Sequence, residues 1–293
     1  MRVEATIPLP DSFGGVTGPT CAVINPATGK LYVGGSQGDR LLVVDTRTHK
    51  RCGSIPTWSS TAAISVNHRT NKVYCASRES CSITVIDGRT DKVRREIRLP
   101  GRPHDLCSDH VTGKVFCTVT SASFYRQDDS GRVVVIDGAG DSIRSVVEVD
   151  KGAGAMCLDP RRGRVYCANA STGTLSIVDG RFERLVSTFA IGPFFKVPFY
   201  DSATDCAYCA FPSGVAVSPR GVAIVDCRSG SVIDTLRPGR SGFPLAPRQG
   251  RTGSSSPERR AERRGSTVDA HVCLGLSHPE DSWLGTVSAI GHT

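Results

Sequence analysis

One short stretch, GRPHDLCSDH from Gly101 to His110, holds the densest group of residues able to do chemistry. Arg102, His104 and Asp105 stand almost side by side there. A neighbouring His and Asp can ligate a metal ion or act as a base, and an arginine can hold an anion. The competing interpretation is a loop with hydrogen-bonded polar side chains, and we favour that interpretation.

Two further stretches carry aromatic and basic residues that are candidates for binding a ligand. Trp58 lies in TWSST, and Phe194, Phe195 and Lys196 lie in IGPFFKVP. Together they can form a stacking surface, because aromatic rings offer large, rigid contact areas. The simpler alternative, which we again favour, is that they fill the interior. The candidate ligand-binding residues are therefore Trp58, Arg102, His104, Asp105 and Lys196, and no catalytic residue is predicted.

The chain has 12 cysteines, but their positions argue against a disulfide framework or a metal site. Four of them directly follow an aromatic residue at one recurring position: Cys75, Cys117, Cys167 and Cys209. A cysteine repeated in this way serves as a small buried hydrophobic residue. CAYC has the C-x-x-C spacing, yet residues three apart in a strand point to opposite faces. We predict neither a metal nor a cofactor.

Three common sequence signatures of catalysis are absent. The chain lacks the Walker A motif, H-E-x-x-H and the Rossmann glycine fingerprint. The formal net charge of +8 attracts nucleic acid or another polyanion if the basic residues converge, and otherwise reflects an arginine-rich surface. We find no apolar run long enough to span a membrane and no signal peptide. The expected location is the cytoplasm, or outside it if the N-terminus is incomplete.

Aromatic landmarks recur along the chain at a nearly constant interval. Tyr32, Tyr74, Phe116, Tyr166 and Tyr208 are separated by 42, 42, 50 and 42 residues. Aspartates that end the apolar runs LLVVD, ITVID, VVVID, LSIVD and VAIVD follow the same rhythm. The longer intervals contain an insertion between two apolar runs, as expected of a surface loop.

Each repeated unit predicts four β-strands. The unit begins with a short apolar segment and a turn, followed by a segment such as VYCAS and a polar loop. It continues with an alternating β-branched segment such as ITVID, a second turn and an outer strand with weaker alternation. The aspartate after each VI or IV is predicted to cap its turn by accepting backbone N–H groups. A single sheet cannot bury both its faces, so the units must stack. The prediction is an all-β fold, a β-propeller of four-stranded antiparallel blades with five full repeats.

These phrases resemble the YVTN-type (YncE-like) β-propeller repeats. The resemblance rests on NPATGKLYVGG, NKVYCAS with SITVIDGRTDKV, and GRVYCANASTGTLSIVDG, and extends from about Val3 to Gly239. Propellers of that family commonly have seven blades, and relatives are often exported. Five units therefore imply either a five-bladed ring with a spare N-terminal strand, VEATIPLP, or an open arc of a larger propeller.

The repeat stops after Gly239, which divides the chain into a propeller domain, 1–239, and a tail, 240–293. The tail is rich in Ser, Gly, Pro and Arg, a composition typical of disorder. A shifted reading frame after Gly239 is an equal alternative, and a basic binding tract at PERRAERR is a third.

The leading functional hypothesis is a non-enzymatic scaffold that binds a protein or small ligand through the loops between blades. One alternative is a propeller enzyme, a lactonase-like hydrolase or a quinone-dependent dehydrogenase. Another is a binder of nucleic acid or other polyanions through a basic surface. Open blade edges also offer a route to self-association. The fold by itself does not choose among these, because propellers host many functions.

Overall fold

A computed structural model describes residues 6–8, 17–58, 60–121, 130–192, 196–211, 221–236 and 286–288. These residues form strands and turns and no helix. Twenty of the strands make up five four-stranded antiparallel sheets, each with its strands in chain order. The predicted all-β propeller of four-stranded blades is confirmed.

The strands are as follows, with a short N-terminal strand preceding the blades. The N-terminal strand is β1 (Thr6–Pro8). Blade 1 contains β2 (Thr17–Asn25), β3 (Lys30–Gln37), β4 (Arg40–Asp45) and β5 (Lys50–Pro56). Blade 2 contains β6 (Thr61–Asn67), β7 (Lys72–Ser77), β8 (Ser82–Asp87) and β9 (Val93–Arg98). Blade 3 contains β10 (Arg102–Ser108), β11 (Lys114–Thr120), β12 (Gly131–Asp137) and β13 (Ser142–Val149). Blade 4 contains β14 (Ala153–Asp159), β15 (Arg164–Asn169), β16 (Thr174–Asp179) and β17 (Arg184–Ala190). Blade 5 contains β18 (Lys196–Asp201), β19 (Cys206–Phe211), β20 (Gly221–Asp226) and β21 (Ser231–Leu236), and β22 is Thr286–Ser288.

Because neighbouring strands run antiparallel, each blade places its connections at two opposite ends. We call the turn end the one that carries the turns between first and second strands and between third and fourth strands. The loop end carries the second-to-third loops and the connectors between blades. Both kinds of turn contain a residue at positive φ, such as Asn71 (50°) and Asp91 (59°) in blade 2. Asn, Asp and Gly tolerate this backbone region best, which explains their recurrence there.

The core consists of layers between consecutive blades. Tyr74, Ile83 and Val85 of blade 2 pack with Val115, Cys117, Val134 and Ile136 of blade 3 in one such layer. The recurring cysteines Cys75, Cys117, Cys167 and Cys209 are all fully buried. The eleven cysteines of the described residues are free thiols. The interpretation of the four recurring cysteines as small core residues is confirmed.

The first strands of consecutive blades contact one another, so β2, β6, β10, β14 and β18 line the inside of the arc. Within the described strands, no comparable contact joins β18 to β2. The blades therefore form an arc whose first and last members do not pack together. Part of the spare N-terminal strand VEATIPLP forms β1, which pairs with β22 and has Ile7 opposite Val287. The rest of the tail lies outside the described residues, as does most of the two insertions, SFYRQDDS and FPSGVAVSPRG.

Candidate functional site

Aspartates cap the turns between third and fourth strands at the turn end. In each blade the carboxylate accepts N–H groups two and three residues ahead, as Asp87 does from Arg89 (3.0 Å) and Thr90 (3.0 Å). The five aspartates that do so are Asp45, Asp87, Asp137, Asp179 and Asp226. The predicted role of this recurring aspartate is confirmed. Hydrogen bonds from the Thr90 and Arg89 backbone hold the pKa of Asp87 below its usual value.

A second set of contacts at the turn end fastens each blade to the next. Lys72 of blade 2 reaches Asp141 of blade 3, with Nζ 2.8 and 2.7 Å from the two carboxylate oxygens. Tyr74 donates its hydroxyl to the same carboxylate at 2.8 Å. Both members of the ion pair are nearly buried, at 8% and 9% side-chain exposure. Burial, and then the hydrogen bond to Asp141, raises the pKa of Tyr74 above its usual value. We call this arrangement of cation, tyrosine and acid the latch.

The loop end brings Trp58 and Arg102 of the sequence candidates onto one loop of blade 2. The Trp58 carbonyl accepts a hydrogen bond from Ser77 Oγ at 3.2 Å, and Ser60 O accepts one from Arg78 N at 2.9 Å. These bonds hold the connector between blades 1 and 2 against the loop between β7 and β8. The indole itself is 52% exposed. A large aromatic side chain is thus presented to solvent on an anchored backbone.

Arg102 reaches the same loop from blade 3. Its guanidinium lies 3.7 Å from a carboxylate oxygen of Glu79, and both side chains are about half exposed. Sequence reasoning missed Glu79, since nothing in RESC marks it apart from its charge. We define the loop-end patch as Trp58, Glu79 and Arg102. It spans the connectors on both sides of blade 2.

His104 and Asp105 lie in strand β10 rather than in the loop that the sequence analysis favoured, and their side chains make structural hydrogen bonds. His104 Nε2 lies 2.8 Å from Thr120 Oγ1 on the adjacent strand β11. The Asp105 carboxylate accepts the N–H of Leu106 at 2.8 Å and the N–H of Met156 at 2.8 Å. Met156 belongs to blade 4, so this carboxylate joins the inner strands of blades 3 and 4.

Asp105 departs from the repeat, because the other blades place small apolar residues at its position. The register of β10 with β11 aligns it with Ala63 in blade 2 and Ala155 in blade 4. Burial raises the pKa of Asp105 to about 6, although the two backbone N–H groups oppose that shift. The carboxyl therefore titrates near neutral pH from inside the arc.

Lys196 begins the inner strand of blade 5, where its backbone pairs with Ala210. The Lys196 side chain, Phe194 and Phe195 lie outside the part of the chain that the structure describes. Of the five sequence candidates, Trp58 and Arg102 contact blade 2 at the nearby residues Ser77 and Glu79, while the side chains of His104 and Asp105 bond to the frame.

The turn end holds one arrangement that the sequence did not indicate. The imidazoles of His68 and His110 stack with centroids 3.9 Å apart and an interplanar angle of 3°. Both residues occupy the same place in the first turn of their blades. The described residues contain no group of three or more His, Cys, Asp or Glu side chains arranged to hold a metal ion. They also hold no helix of the length and hydrophobicity that crossing a bilayer takes.

Comparison with known proteins identifies the fold. No protein-family model and no curated protein matches the chain. Hydrazine synthase from Kuenenia stuttgartiensis is similar with a TM-score of 0.65 at 17% identity, over 78% of this chain and 69% of that one. The β-propeller domain of Cps50 (Swd1) from Myceliophteria thermophila gives 0.55 at 12% identity, over 80% of this chain and 88% of that one. At these identities the likeness shows a shared fold, and the chain has the fold of a β-propeller.

Proposed function

We propose that this protein is a non-enzymatic β-propeller scaffold of YVTN type that binds a protein partner through the loop-end patch. The observation that carries the proposal is the exposed indole of Trp58, half open to solvent on a backbone anchored to Ser77. Tryptophan and arginine are the side chains that most often dominate the binding energy of protein interfaces. Trp58 and Arg102 lie at the two connectors that flank blade 2.

The frame beneath the patch favours tight recognition. The latches and capped turns at the opposite end hold neighbouring blades in register. A rigid presenting surface loses little conformational entropy on binding, so more of the contact energy appears as affinity. Glu79 and Arg102 supply charges of both signs at the rim, which orient a partner more than they add affinity.

The YVTN assignment rests on the repeat itself. Five copies keep the order of tyrosine or phenylalanine, turn and aspartate, and every copy folds as one four-stranded blade. The propellers of hydrazine synthase and Swd1 support the architecture, and the finer assignment comes from the repeated phrases.

The test is site-specific photo-cross-linking in the full chain. A photoreactive amino acid at position 58 should capture one discrete partner in cells. The matched control places the same group at Phe182, which is 72% exposed on the turn end of blade 4. The captured band should disappear when Arg102→Ala and Glu79→Ala are added. Equal capture from both positions, or a band indifferent to those two changes, would refute the loop-end patch as the binding surface.

A further inference from the structure

The last blade ends in a face that the described blades leave uncovered. In blades 1 to 4 the landmark aromatic residue is fully buried against the next blade: Tyr32, Tyr74, Phe116 and Tyr166. Its counterpart Tyr208 in blade 5 is only half-buried. Phe199 on the neighbouring strand is 58% exposed, and Leu236 is 39% exposed. Ile55 and Ile97, which occupy the position of Leu236 in blades 1 and 2, are 2% and 6% exposed.

The register places these apolar side chains on one side of the sheet. Phe199 is opposite Tyr208, which is opposite Ile224, while Ala210 is opposite Val222 and Val222 is opposite Leu236. Opposed residues in adjacent strands share a face. We call the free face the surface formed by Phe199, Tyr208, Ala210, Val222, Ile224 and Leu236. Its residue types are those that another blade covers elsewhere in the arc.

The latch indicates which blade fits there. A cation two residues before the landmark aromatic residue faces the positive-φ residue of the last turn in the next blade. The pairs are Lys30 with Asp91, Lys72 with Asp141 and Lys114 with Glu183, at 2.6, 2.7 and 2.6 Å. At the fourth junction Arg164 instead contacts the carbonyl of Cys227 at 3.3 Å.

Both unmatched ends of this series depart from the pairing of a cation with an acid. Blade 5 carries Cys206 at the cation position, and Tyr208 bonds to Thr204 of its own turn at 3.2 Å. Blade 1 carries His49 at the acid position, at φ 56°. A blade with an ordinary acid would bury that acid opposite Cys206 with no cation to pair it. A blade with an ordinary lysine would bury an ammonium opposite a histidine. Neither mismatch arises if blade 5 meets blade 1.

The apolar surfaces match as well. On the side away from blade 2, blade 1 gathers Leu31, Val33, Leu42 and Val44 into a cluster that no residue of blades 2 to 5 joins. These occupy the same repeat positions as Val73, Cys75 and Ile86, which cover the face of blade 1 bearing Tyr32. The cluster is buried within the single chain, so the junction must form by exchange of its present packing and we expect it to form slowly.

We propose that the free face of blade 5 docks on blade 1 of a second copy of this chain, with Cys206 and Tyr208 opposite His49. The two surfaces belong to opposite ends of the arc, so the contact is head-to-tail rather than two-fold. Docking blade 5 on blade 2, 3 or 4 would instead place Asp91, Asp141 or Glu183 opposite Cys206, which offers no cation. Blade 1 avoids that mismatch.

The first test perturbs the apolar surface. Full-length chain should self-associate with concentration in sedimentation velocity, and Phe199→Asp should weaken that association at least tenfold. Phe182→Asp is the matched control, because Phe182 is also exposed but lies outside the free face. A chain that stays monomeric up to its solubility limit, or equal effects of the two changes, would overturn the proposal.

The second test rebuilds the charged latch. Cys206→Lys alone should weaken association about tenfold, since it buries an unpaired ammonium. His49→Asp preserves a residue type suited to positive φ and should also weaken association by itself. Mixing the two single variants should restore association between unlike chains. Ser202→Lys controls for added charge on blade 5.

A double variant distinguishes docking between two copies from ring closure within one chain. If the double variant Cys206→Lys with His49→Asp becomes more resistant to urea while remaining monomeric, blade 5 closes on its own blade 1. That outcome refutes the second copy as the occupant. Failure of the mixture to restore association refutes the pairing of Cys206 with His49.

Discussion

The turn end and the loop end of the arc use aspartate in opposite ways. At the turn end Asp87 is close to solvent and accepts backbone N–H groups, which lower its pKa. Towards the loop end Asp105 accepts two N–H groups of the same kind, yet burial raises its pKa to about 6. Hydrogen bonds dominate where water solvates the charge, and desolvation dominates where it does not. The turn end therefore stabilises the charged form of its aspartates, whereas the inner strand disfavours the charged form of Asp105.

The same contrast separates the repeating contacts from the individual ones. Latches and capped turns recur from blade to blade at the turn end. Trp58, Glu79, Arg102 and Asp105 each occur once, in the loop half of the molecule. Residues that repeat maintain the frame, and Trp58, Glu79 and Arg102, which do not repeat, form the surface to which we assign the proposed function.

Breaking the most buried latch should have the largest effect on stability. Asp141→Asn leaves the Lys72 ammonium without its counter-ion while keeping a residue suited to positive φ. The free energy of unfolding in urea should fall by about 3 kcal/mol, the usual cost of stranding a buried charge. Asp91→Asn is the matched control, because the Lys30–Asp91 pair is more exposed, at 21% and 26%. Its cost should be about 1 kcal/mol or less. Equal losses would contradict the role of burial.

The second prediction concerns pH and Asp105. A folded-state pKa near 6 against an ordinary value of 3.8 means that the folded chain binds this proton more tightly than the unfolded chain. The penalty for the buried carboxylate is therefore full above pH 6 and is relieved as the pH falls towards 4. Relative to Asp105→Asn, the unmodified protein should gain about 2 kcal/mol of unfolding free energy between pH 7.5 and 4.5.

The turn-end aspartates serve as the internal reference for this measurement. The pKa of Asp87 is lowered, so its stabilising contribution is lost only as the pH falls below its ordinary value. Unfolding curves recorded by urea at several pH values give the comparison. A difference between the two proteins that does not change with pH would contradict a buried, titrating Asp105.

Removing one turn cap should have a smaller effect. Asp179→Ala removes the acceptor for the N–H groups of Arg181 at 2.9 Å and Phe182 at 3.0 Å. The expected cost is about 1 kcal/mol of unfolding free energy, because the freed groups can bind water instead. Asp179→Asn retains a side-chain oxygen and should cost about half as much. If the asparagine variant is no better than the alanine variant, the capping role is wrong.

The smallest effect on stability is expected at the loop-end patch. Trp58→Ala and Arg102→Ala remove exposed side chains, so each should change the unfolding free energy by no more than about 0.5 kcal/mol. Arg102→Ala, combined with Glu79→Ala, should nevertheless abolish partner capture from position 58. A large loss of stability from Trp58→Ala would mean that the indole belongs to the frame rather than to a recognition surface.

Much of the frame was predictable from the sequence, since its signals are local and repeated. The turn-capping aspartates were predicted because Asp follows each β-branched run directly, and an Asx turn involves only neighbouring residues. The burial of Cys75 and its three counterparts was predicted from their repeat position. The pairing of Lys72 with Asp141 was not, because the two residues are 69 positions apart and belong to different blades.

The candidate site was predictable only in part. Arg102 and Trp58 were chosen because they interrupt the repeat, but Glu79, which pairs with Arg102, has no distinguishing pattern. Asp105 was chosen for the same reason and proved to join two blades through Met156. A polar residue in an apolar position can signal either recognition or an internal hydrogen bond, and the chain alone does not say which.

The sequence by itself determined the strands, the turns and the blade, because each depends on alternation and on turn residues within about forty positions. Tertiary structure alone decided which charges meet across junctions, which aspartate is desolvated and which face of blade 5 stays uncovered. Those properties depend on the distance between residues of different blades and on the water excluded between them. Neither quantity is carried by any one repeat.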